Sequence, residues 1–526
     1  MTVSEPFLRD LWDRLAGGGV SGKEDLQRVK SELVRRHRIP GVPADSEILA
    51  HVPPGMRDSL DDLLRVKPTR SASGVAVVAV MTPPHPCPHG VCVYCPGGPR
   101  VGTPQSYTGT EPAARRAARH RFDPTEQAAV RLTQLRATGH RTDKIDLIVL
   151  GGTFSSLDAG LKEGFVKGCF DGLNGRVAAD LEEAQRINET AAARCIGLTI
   201  ETKPDCFLGP EVEESLRLGV TRVELGVQTT HDDVLRLVNR GHTDADTRAA
   251  TRRAKEAGLK LGYHMMPGLP GNDADRDLES FRAIFEDPEY RPDFLKIYPT
   301  LVLPGTGLHA MWALGRYAPL STEDAVELVA SVKAIVPPWV RIQRIQREIG
   351  ADVIEAGPTK GDLRVRARRR LAERGGRCRC IRCREIGLQR VALRADAVRL
   401  HRSDYEASGG TEVFLSFEDF AGDVLVGYAR LRVGPAGAIL RELKVFGPVV
   451  PLDAEPGGRW QHRGYGGRLL AECERIASEE FGLREVRVTS GVGVREYYRR
   501  LGYARCGPYM AKGLRGAGPP RLTSPP

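Results

Sequence analysis

The sequence predicts an α/β chain: a partial TIM-type barrel, then a smaller α+β domain, with a helical extension in front. Three observations carry the prediction. Six β-rich runs between Gly74 and Leu303 alternate with amphipathic helical segments, the pattern of a parallel sheet buried on both faces. Beyond Val391 the alternation stops and strand-like runs follow one another directly, as in an antiparallel α+β domain. Before Gly74, apolar residues recur at helical spacing in "LRDLWDRL" and "KEDLQRVKSELVRRH".

Taken in order, residues 1–73 read as a basic helical region broken by "RIPGVP". Residues 74–345 hold the barrel, with β-runs at Gly74–Val80, Lys144–Gly152, Cys195–Thr202, Arg222–Thr229, Leu259–Met266 and Phe294–Leu303. Segments such as "TEQAAVRLTQLRATG" and "DADTRAATRRAKEAG" supply the crossover helices, and six such units fit an open or partial barrel. Residues 346–392 form an Arg-rich linker with three cysteines. Residues 393–514 are the α+β domain, with strands in "TEVFLSFED", "VLVGYARLRVG" and "AILRELKVFGPVV", a helix in "GYGGRLLAECERIASEEFG", and a further strand in "REVRVTSG". Residues 515–526 are Pro/Gly-rich and read as a disordered tail.

The chain's 526 residues, 41% apolar and 27% charged, suffice for two or three domains with complete cores. No run of about 18 apolar residues occurs. The opening "MTVSEPFLRDLWDRL" lacks the apolar stretch of a secretory signal. Both point to a cytoplasmic protein with no membrane partner. The net charge of +10 is unevenly spread. Leu26–Pro40 holds five Lys/Arg against one acid, Pro112–Arg121 four arginines and a histidine, and Arg364–Arg384 ten arginines and one acid. Arginine forks pair with phosphates, so these clusters point to a nucleic-acid partner. Of eleven cysteines, six fall in two tight triplets, which indicates metal sites in a reducing compartment and not a disulfide framework. Cys169, Cys195, Cys206, Cys473 and Cys506 stand alone and read as small apolar side chains.

The first triplet, Cys87, Cys92 and Cys95, lies in "PHPCPHGVCVYCPGGP", just after the first β-run and so at the mouth of the barrel. Three thiolates can hold three irons of a [4Fe–4S] cluster and leave the fourth open. A zinc loop completed by His85 or His89 is the alternative. The triplet resembles the cluster motif of the radical S-adenosylmethionine (SAM) superfamily, with one extra residue in the first gap. The longer gap, together with "QSYTGTEP", "DKIDLIVLGGTF", "IGLTIETKPD", "RVELGVQT", "NRGHT", "HMMPGLPG" and "LKIYPTLVLPGTGL", is similar to the family of Elongator catalytic subunits over residues 75–513. That resemblance implies that the open iron chelates SAM, and that Gly151 and Gly152 form the turn for the SAM amino group. It also implies that Lys144 contacts acetyl-CoA from the barrel side. Glu201, Lys203, Glu224 and Gln228 sit near the ends of β-runs, where they face the pocket or form satisfied ion pairs.

The second triplet, Cys378, Cys380 and Cys383, reads as a structural zinc site between domains, with a second iron–sulfur cluster as the alternative. In the last domain, Gln461, Gly464 and Gly466 open a helix whose N-terminal N–H groups suit an anion. The order of strand, Gly-loop, helix, strand and Tyr-rich segment resembles the GNAT acetyltransferases. The resemblance implies that Glu442, Leu443, Lys444 and Val445 line the acetyl and pantetheine path, and that Tyr465, Gly466 and Gly467 hold the CoA pyrophosphate. It places Tyr498 near the CoA sulfur, where its hydroxyl would protonate the leaving thiolate. Family members often read "RELHVYG" where this chain reads "RELKVFG", so Lys444 and Phe446 depart from the pattern.

The implied reaction is radical SAM chemistry on acetyl-CoA, building 5-carboxymethyluridine at the wobble uridine of tRNA, with the basic regions holding the anticodon stem-loop. The same resemblance implies an electron donor, protein or small reductant, and is compatible with a homo-oligomer. The rival reading is a protein lysine acetyltransferase with a purely structural iron–sulfur cluster.

Overall fold

The computed structural model describes residues 3–18, 20–56, 60, 63–389, 393, 395–447 and 464–514. Gln461 and the 515–526 tail lie outside the described residues. A seven-stranded sheet comes first, all parallel and in sequence order: β1 (Ala76–Met81), β2 (Lys144–Leu150), β3 (Arg194–Thr202), β4 (Arg222–Gln228), β5 (Lys260–Met265), β6 (Phe294–Ile297) and β7 (Arg341–Ile345). Sequential order with parallel pairing is what repeated right-handed crossovers produce. The sheet curls into an open barrel, whose free edges are β1 and β7.

The crossover helices start on side-chain caps. Thr243, for example, accepts from Asp246 N and donates its own N–H to the Asp246 carboxylate, fixing the start of the helix Asp244–Glu256. Facing the sheet, that helix presents Ala250, Thr251 and Ala254, small enough for close contact with buried strands. Each barrel edge is closed by an arginine. Arg116 donates to Ala79 O at 2.7 Å on β1, and Arg364 donates to Ile342 O at 3.1 Å on β7. Such caps remove the free carbonyls that make an edge strand adhesive.

The seventh strand was not among the six expected. "RIQRI" sets two isoleucines among Arg341, Gln343 and Arg344, because its polar positions serve an edge strand and the barrel lumen instead of a doubly buried face. The sixth run ends as a strand at Ile297, well short of Leu303.

Helices Glu5–Ala16 and Lys23–Arg36 enclose a separate small core of Phe7, Leu11, Leu26, Leu33 and Ile48. That core is tied to the barrel through Val66 N to Thr138 O and Arg65 Nε to Gly139 O.

The second sheet comprises β8 (Arg399–Ala407), β9 (Gly410–Asp419), β10 (Val424–Gly434), β11 (Gly437–Val445), β12 (Glu485–Val488), β13 (Ala504–Cys506) and β14 (Tyr509–Gly513), ordered β13-β14-β12-β11-β10-β9-β8. All its pairings are antiparallel except β11–β12. Those two strands pair only over Ala438–Leu440 with Val486–Val488, after which β11 runs on alone along that edge. The helix Tyr465–Arg475 packs Leu469, Leu470 and Cys473 over this sheet.

The second domain docks beneath the barrel, at the starts of its strands. Arg441, fully buried, donates twice to Asp293 (2.7 and 2.8 Å), twice to Glu412 (2.9 and 3.1 Å) and once to Leu259 O (2.7 Å). Arg384 of the linker, also fully buried, donates to Glu418 at 2.6 Å and to Pro338 O at 2.8 Å. Buried charges of this kind hold only with every donor engaged, so the interface is specific in geometry.

Candidate active site

Beyond the C-terminal end of β1 the chain enters the cysteine loop. Cys87, Cys92 and Cys95 are buried and surrounded by polar donors. Thr153 Oγ1 lies 3.3 Å from Cys87 Sγ, His89 Nε2 3.2 Å from Cys92 Sγ, and Gln105 Nε2 donates to Cys95 Sγ at 3.2 Å. The Arg240 guanidinium stands 3.9 Å from Cys92 Sγ. Burial pushes the Cys87 and Cys95 thiols up, so the loop suits thiolates only when a cation compensates them. His89 Nε2 is taken by Cys92, whereas the buried Nε2 of His85 has no hydrogen-bond partner among the described residues. His85 Nδ1 faces Pro83 O at 2.9 Å, and His89 Nδ1 faces Lys203 Nζ at 2.9 Å.

Two other groups among the described residues bring three ligand atoms within 4.8 Å of one another: Cys378, Cys380 and Cys383, and Glu201, Glu224 and His264. One tetrahedral ion with metal–sulfur bonds of about 2.3 Å requires sulfurs roughly 3.8 Å apart. The linker sulfurs, all within 4.8 Å of one another, come near that spacing. The loop cysteines are not gathered so tightly, which fits sulfurs on separate irons of a cluster.

Next to the loop, β2 ends in Gly151 and Gly152, at φ 159° and 78°. A Cβ at Gly151 would meet Thr82 Oγ1 at 2.1 Å, and one at Gly152 would meet Gln105 O at 2.9 Å. Only glycine lets the backbone pass so close beneath the cysteine loop.

The barrel lumen below is a cavity of about 500 Å³, lined by Cys87, Gly152, Glu201, Glu224, Gln228 and Lys296 among others. It holds a belt of charge. Lys296 Nζ donates to Glu201 Oε1 at 3.2 Å and is in contact with Glu224 Oε2. His264 Nε2 lies 2.7 Å from Glu224 Oε2, and the Tyr107 hydroxyl donates to Glu201 Oε2 at 2.7 Å. Burial alone would lower the Lys296 ammonium; Glu224, Tyr298 and Glu201 together overcome it and hold Lys296 above its ordinary value. Burial likewise opposes the Glu224 carboxylate, but Lys296 and His264 hold it well below the usual range. Lys203 is not part of the belt: it pairs with Asp205 at 3.1 Å outside the lumen. Gln228 closes β4 at φ 76°, after a register shift between Leu225 and Gln228. His264, Lys296 and Tyr107 escaped sequence reasoning, although an ionisable residue inside "LGYHMM" or "FLKIYP" is a usable signal, since doubly buried strands are otherwise apolar.

At the opposite end of the barrel, Lys144 starts β2, in register with Arg194. Burial pulls its ammonium down to about 8. Gly491 and Gly493 of the second domain press against Ile196 and Arg194, where a Cβ would come within 2.1 and 2.5 Å. The loop that leads into Tyr497 and Tyr498 thus meets β3 at the residue in register with Lys144.

Past a bulge at Arg441, the side chains of β11 alternate. Glu442 faces the barrel, with Arg430 Nε at 3.1 Å and Lys260 Nζ at 4.0 Å, and Lys444 lies on the same face. Burial would raise the Glu442 carboxyl, but Lys260 and Arg430 bring it down to about 2. Burial and the neighbouring Arg341 bring Lys444 down to about 8. Leu443 and Val445 point the other way, against the core under the helix Tyr465–Arg475. That helix opens at Gly464 (φ 79°), a residue with no side chain to cap the first turn of Tyr465, Gly466 and Gly467. A Cβ on Gly466 would lie 3.4 Å from Tyr497 OH and 3.9 Å from Val445 Cγ2, so the strand end, helix start and Tyr-rich segment converge. Tyr498 is buried beside them, with its ring edge-on to Tyr497 and Tyr503, and burial holds its hydroxyl well above the usual range.

The linker cysteines stand apart from both sites. Cys378 and Cys380 pack into the core with Leu363, Ala367 and Leu371, and Lys333 donates to Cys383 Sγ at 3.4 Å. Hydrogen bonds from Cys378 and Cys383 hold Cys380 well below the ordinary thiol range. Many of the nearby arginines are already paired: Arg366 with Glu323, Arg370 and Arg374 with Glu327, and Arg384 with Glu418. The Arg-rich stretch thus serves packing as well as any anionic surface. No helix among the described residues is long and apolar enough to cross a membrane.

Comparison with known proteins agrees with this geometry. Residues 81–283 match the radical SAM superfamily, residues 292–373 the radical SAM C-terminal domain, and residues 5–72 the ELP3 N-terminal domain. The chain is 47% identical to the tRNA uridine(34) acetyltransferase of Methanocaldococcus jannaschii, covering 97% of each chain. It is 44% identical to Elongator complex protein 3 of Homo sapiens, covering 96% of each. Among solved structures, Methanocaldococcus infernus Elp3 with an N-terminal deletion superposes with a TM-score of 0.75 at 44% identity, covering 84% of this chain and all of that one. Membership of the radical SAM superfamily implies a [4Fe–4S] cluster and SAM, and the cysteine loop, the Gly151–Gly152 turn and the polar lumen fit both. With the barrel, the docked second sheet and the N-terminal helices all accounted for, this chain belongs to the family of Elongator complex protein 3 and the tRNA uridine(34) acetyltransferases.

Proposed function

We propose that the protein is a tRNA carboxymethyluridine synthase, which uses SAM radical chemistry and acetyl-CoA to build 5-carboxymethyluridine at the wobble uridine of tRNA. The observation that carries this is the polar lumen, a cavity of about 500 Å³ that opens beside the cysteine loop and holds an acid–base belt deep inside. A purely structural cluster needs no such space. The relatives named as tRNA uridine(34) acetyltransferases and Elongator complex protein 3 support a wobble-uridine substrate.

Cys87, Cys92 and Cys95 would hold the cluster, and Gly151 and Gly152 would admit SAM beside it. When bound, these groups supply a carbon radical able to act on an unactivated C–H bond. The chain's own part is to hold the substrate base, exclude water and present the acetyl thioester. Glu201 and Lys296 keep the lumen floor charged and fixed, while Arg240 offsets negative charge at the loop. In the second domain, the glycine-led helix start at Tyr465, Gly466 and Gly467 suits the CoA pyrophosphate. Leu443 and Val445 line an apolar path for pantetheine, and Lys144 approaches from the barrel side. Tyr498, kept protonated by burial, is suited to give a proton to a leaving thiolate. The linker cysteines Cys378, Cys380 and Cys383 would hold a structural zinc.

The test is anaerobic reconstitution with iron and sulfide, followed by incubation with SAM, dithionite, acetyl-CoA and tRNA. Carboxymethyluridine in the digested nucleosides, dependent on all four, is the expected result. Peptide acetylation that proceeds equally without SAM, reductant and tRNA would replace this reading with a protein acetyltransferase.

A further inference from the structure

Among the described residues that line the lumen, Tyr94, Glu224 and Arg364 each carry a buried polar atom without a hydrogen-bond partner, and the one on Glu224 is a carboxylate oxygen. Glu224 is fully buried; its Oε2 is taken by Lys296 and His264, and its Oε1 has no hydrogen-bond partner. A charged oxygen left alone at that depth is unfavourable unless a ligand brings a donor. The missing donor must come from inside the cavity, because Glu224 lines it.

Beside it, the Lys296 ammonium carries three N–H donors, of which Glu201 and Glu224 engage two. The belt therefore shows the cavity one acceptor and one donor side by side. Glu201, Glu224 and His264 also cluster as a divalent ion would require, but the Lys296 ammonium already supplies the positive charge among them. Tyr298 lines the same space and adds an aromatic surface on which an unstacked base can lie.

Uracil presents the complementary pattern along one edge, N3–H beside O4. Cytosine presents the reverse, with a lone pair on N3 and an amine at C4. Its N3 would face the carboxylate oxygen and its amine the ammonium. We infer that Glu224 Oε1 and Lys296 Nζ read N3–H and O4 of a uracil turned into the barrel, so that this buried pair selects uridine over cytidine. The inference rests on the RNA reading above and assigns its base specificity to two residues of the lumen. Discrimination by such a site is strong, because the wrong ligand leaves buried polar groups unpaired.

The test uses the cluster-loaded full-length protein and anticodon stem-loops that differ only at the wobble nucleotide: uridine, N3-methyluridine or cytidine. Affinity is read by fluorescence anisotropy. The expected result is binding weakened about tenfold or more by N3-methylation and by cytidine. The Glu224→Gln variant, whose amide can either donate or accept, should narrow the gap between uridine and cytidine. If that variant does not fold, the three stem-loops on the unaltered protein decide the matter alone. Equal affinity for all three overturns the inference while leaving the RNA reading intact. Failure to bind any stem-loop overturns both. Should Glu224→Gln weaken SAM binding in equilibrium dialysis and keep the uridine preference, the carboxylate belongs to SAM and the inference falls.

Discussion

Two cysteine triplets of similar length in sequence have opposite surroundings in the fold. Cys87 lines a cavity, and Cys87, Cys92 and Cys95 each lie beside a polar side chain, Thr153, His89 and Gln105 respectively. Cys378, Cys380 and Cys383 turn inward on one another within 4.8 Å and pack against Leu363, Ala367 and Leu371. The number of thiols is the same. What differs is the space between the sulfurs and the space next to them. Room on one side suits a group that must meet a substrate, and its absence suits an ion that only fastens chain to chain.

The largest expected effect tests the mouth of the barrel. Cys92→Ser should abolish the visible absorption of the reconstituted cluster and lower product formation by about two orders of magnitude or more. Cys380→Ser should leave that absorption unchanged, and a loss there would erase the distinction between the triplets. Next comes the linker itself. Arg384→Ala leaves Glu418 buried without its partner and should cost roughly 3–5 kcal/mol in urea unfolding. A near-neutral result would mean that water replaces the guanidinium and the linker is not a clasp. Third, metal analysis after oxidative removal of the cluster should find about one zinc per chain, missing from Cys380→Ser. That variant should melt roughly 4–8 °C lower, corresponding to about 2 kcal/mol. Finding only iron would make the two triplets alike.

The smallest effect concerns pH. Glu442 is held at about 2 in the folded protein. The unfolded chain takes up its proton nearer the ordinary carboxylate value of about 4.3. Between those values the unfolded state binds more protons, so stability rises with pH there and is lost as pH falls from about 4.5 to 2. Asp293 is displaced in the same direction by Arg441, against the opposing effect of burial. A Glu442→Gln variant should show a shallower loss of melting temperature across that acid window.

Much of this was legible in the chain itself. The parallel strands announced themselves as apolar runs, and both triplets and the Gly-Gly turn could be placed before any coordinates. β7 could not, because Arg341 and Arg344 break its apolar pattern, and their reason for being there lies in other segments. Arg341, for one, meets Glu385, more than forty residues on. Glu201 and Glu224 were picked out by position along their strands, whereas Lys203, chosen on the same grounds, turned away to Asp205. Strand alternation settles which face a residue takes only when the last residues stay in register, and Lys203 lies beyond the end of β3. The arginines of the linker misled by number. Their partners Glu323 and Glu327 lie on a neighbouring helix, too distant in sequence for a count of local charge to reveal.

The two sheets meet through Asp293, Glu412 and Arg441, and Lys255, Arg430 and Arg432 share the same almost wholly dry cluster. Replacing one member shifts its partners onto the remaining charges, with no solvent to make up the difference. In descent, these six positions are therefore coupled, and a chimaera joining halves from distant homologues should be most soluble when all six come from one parent.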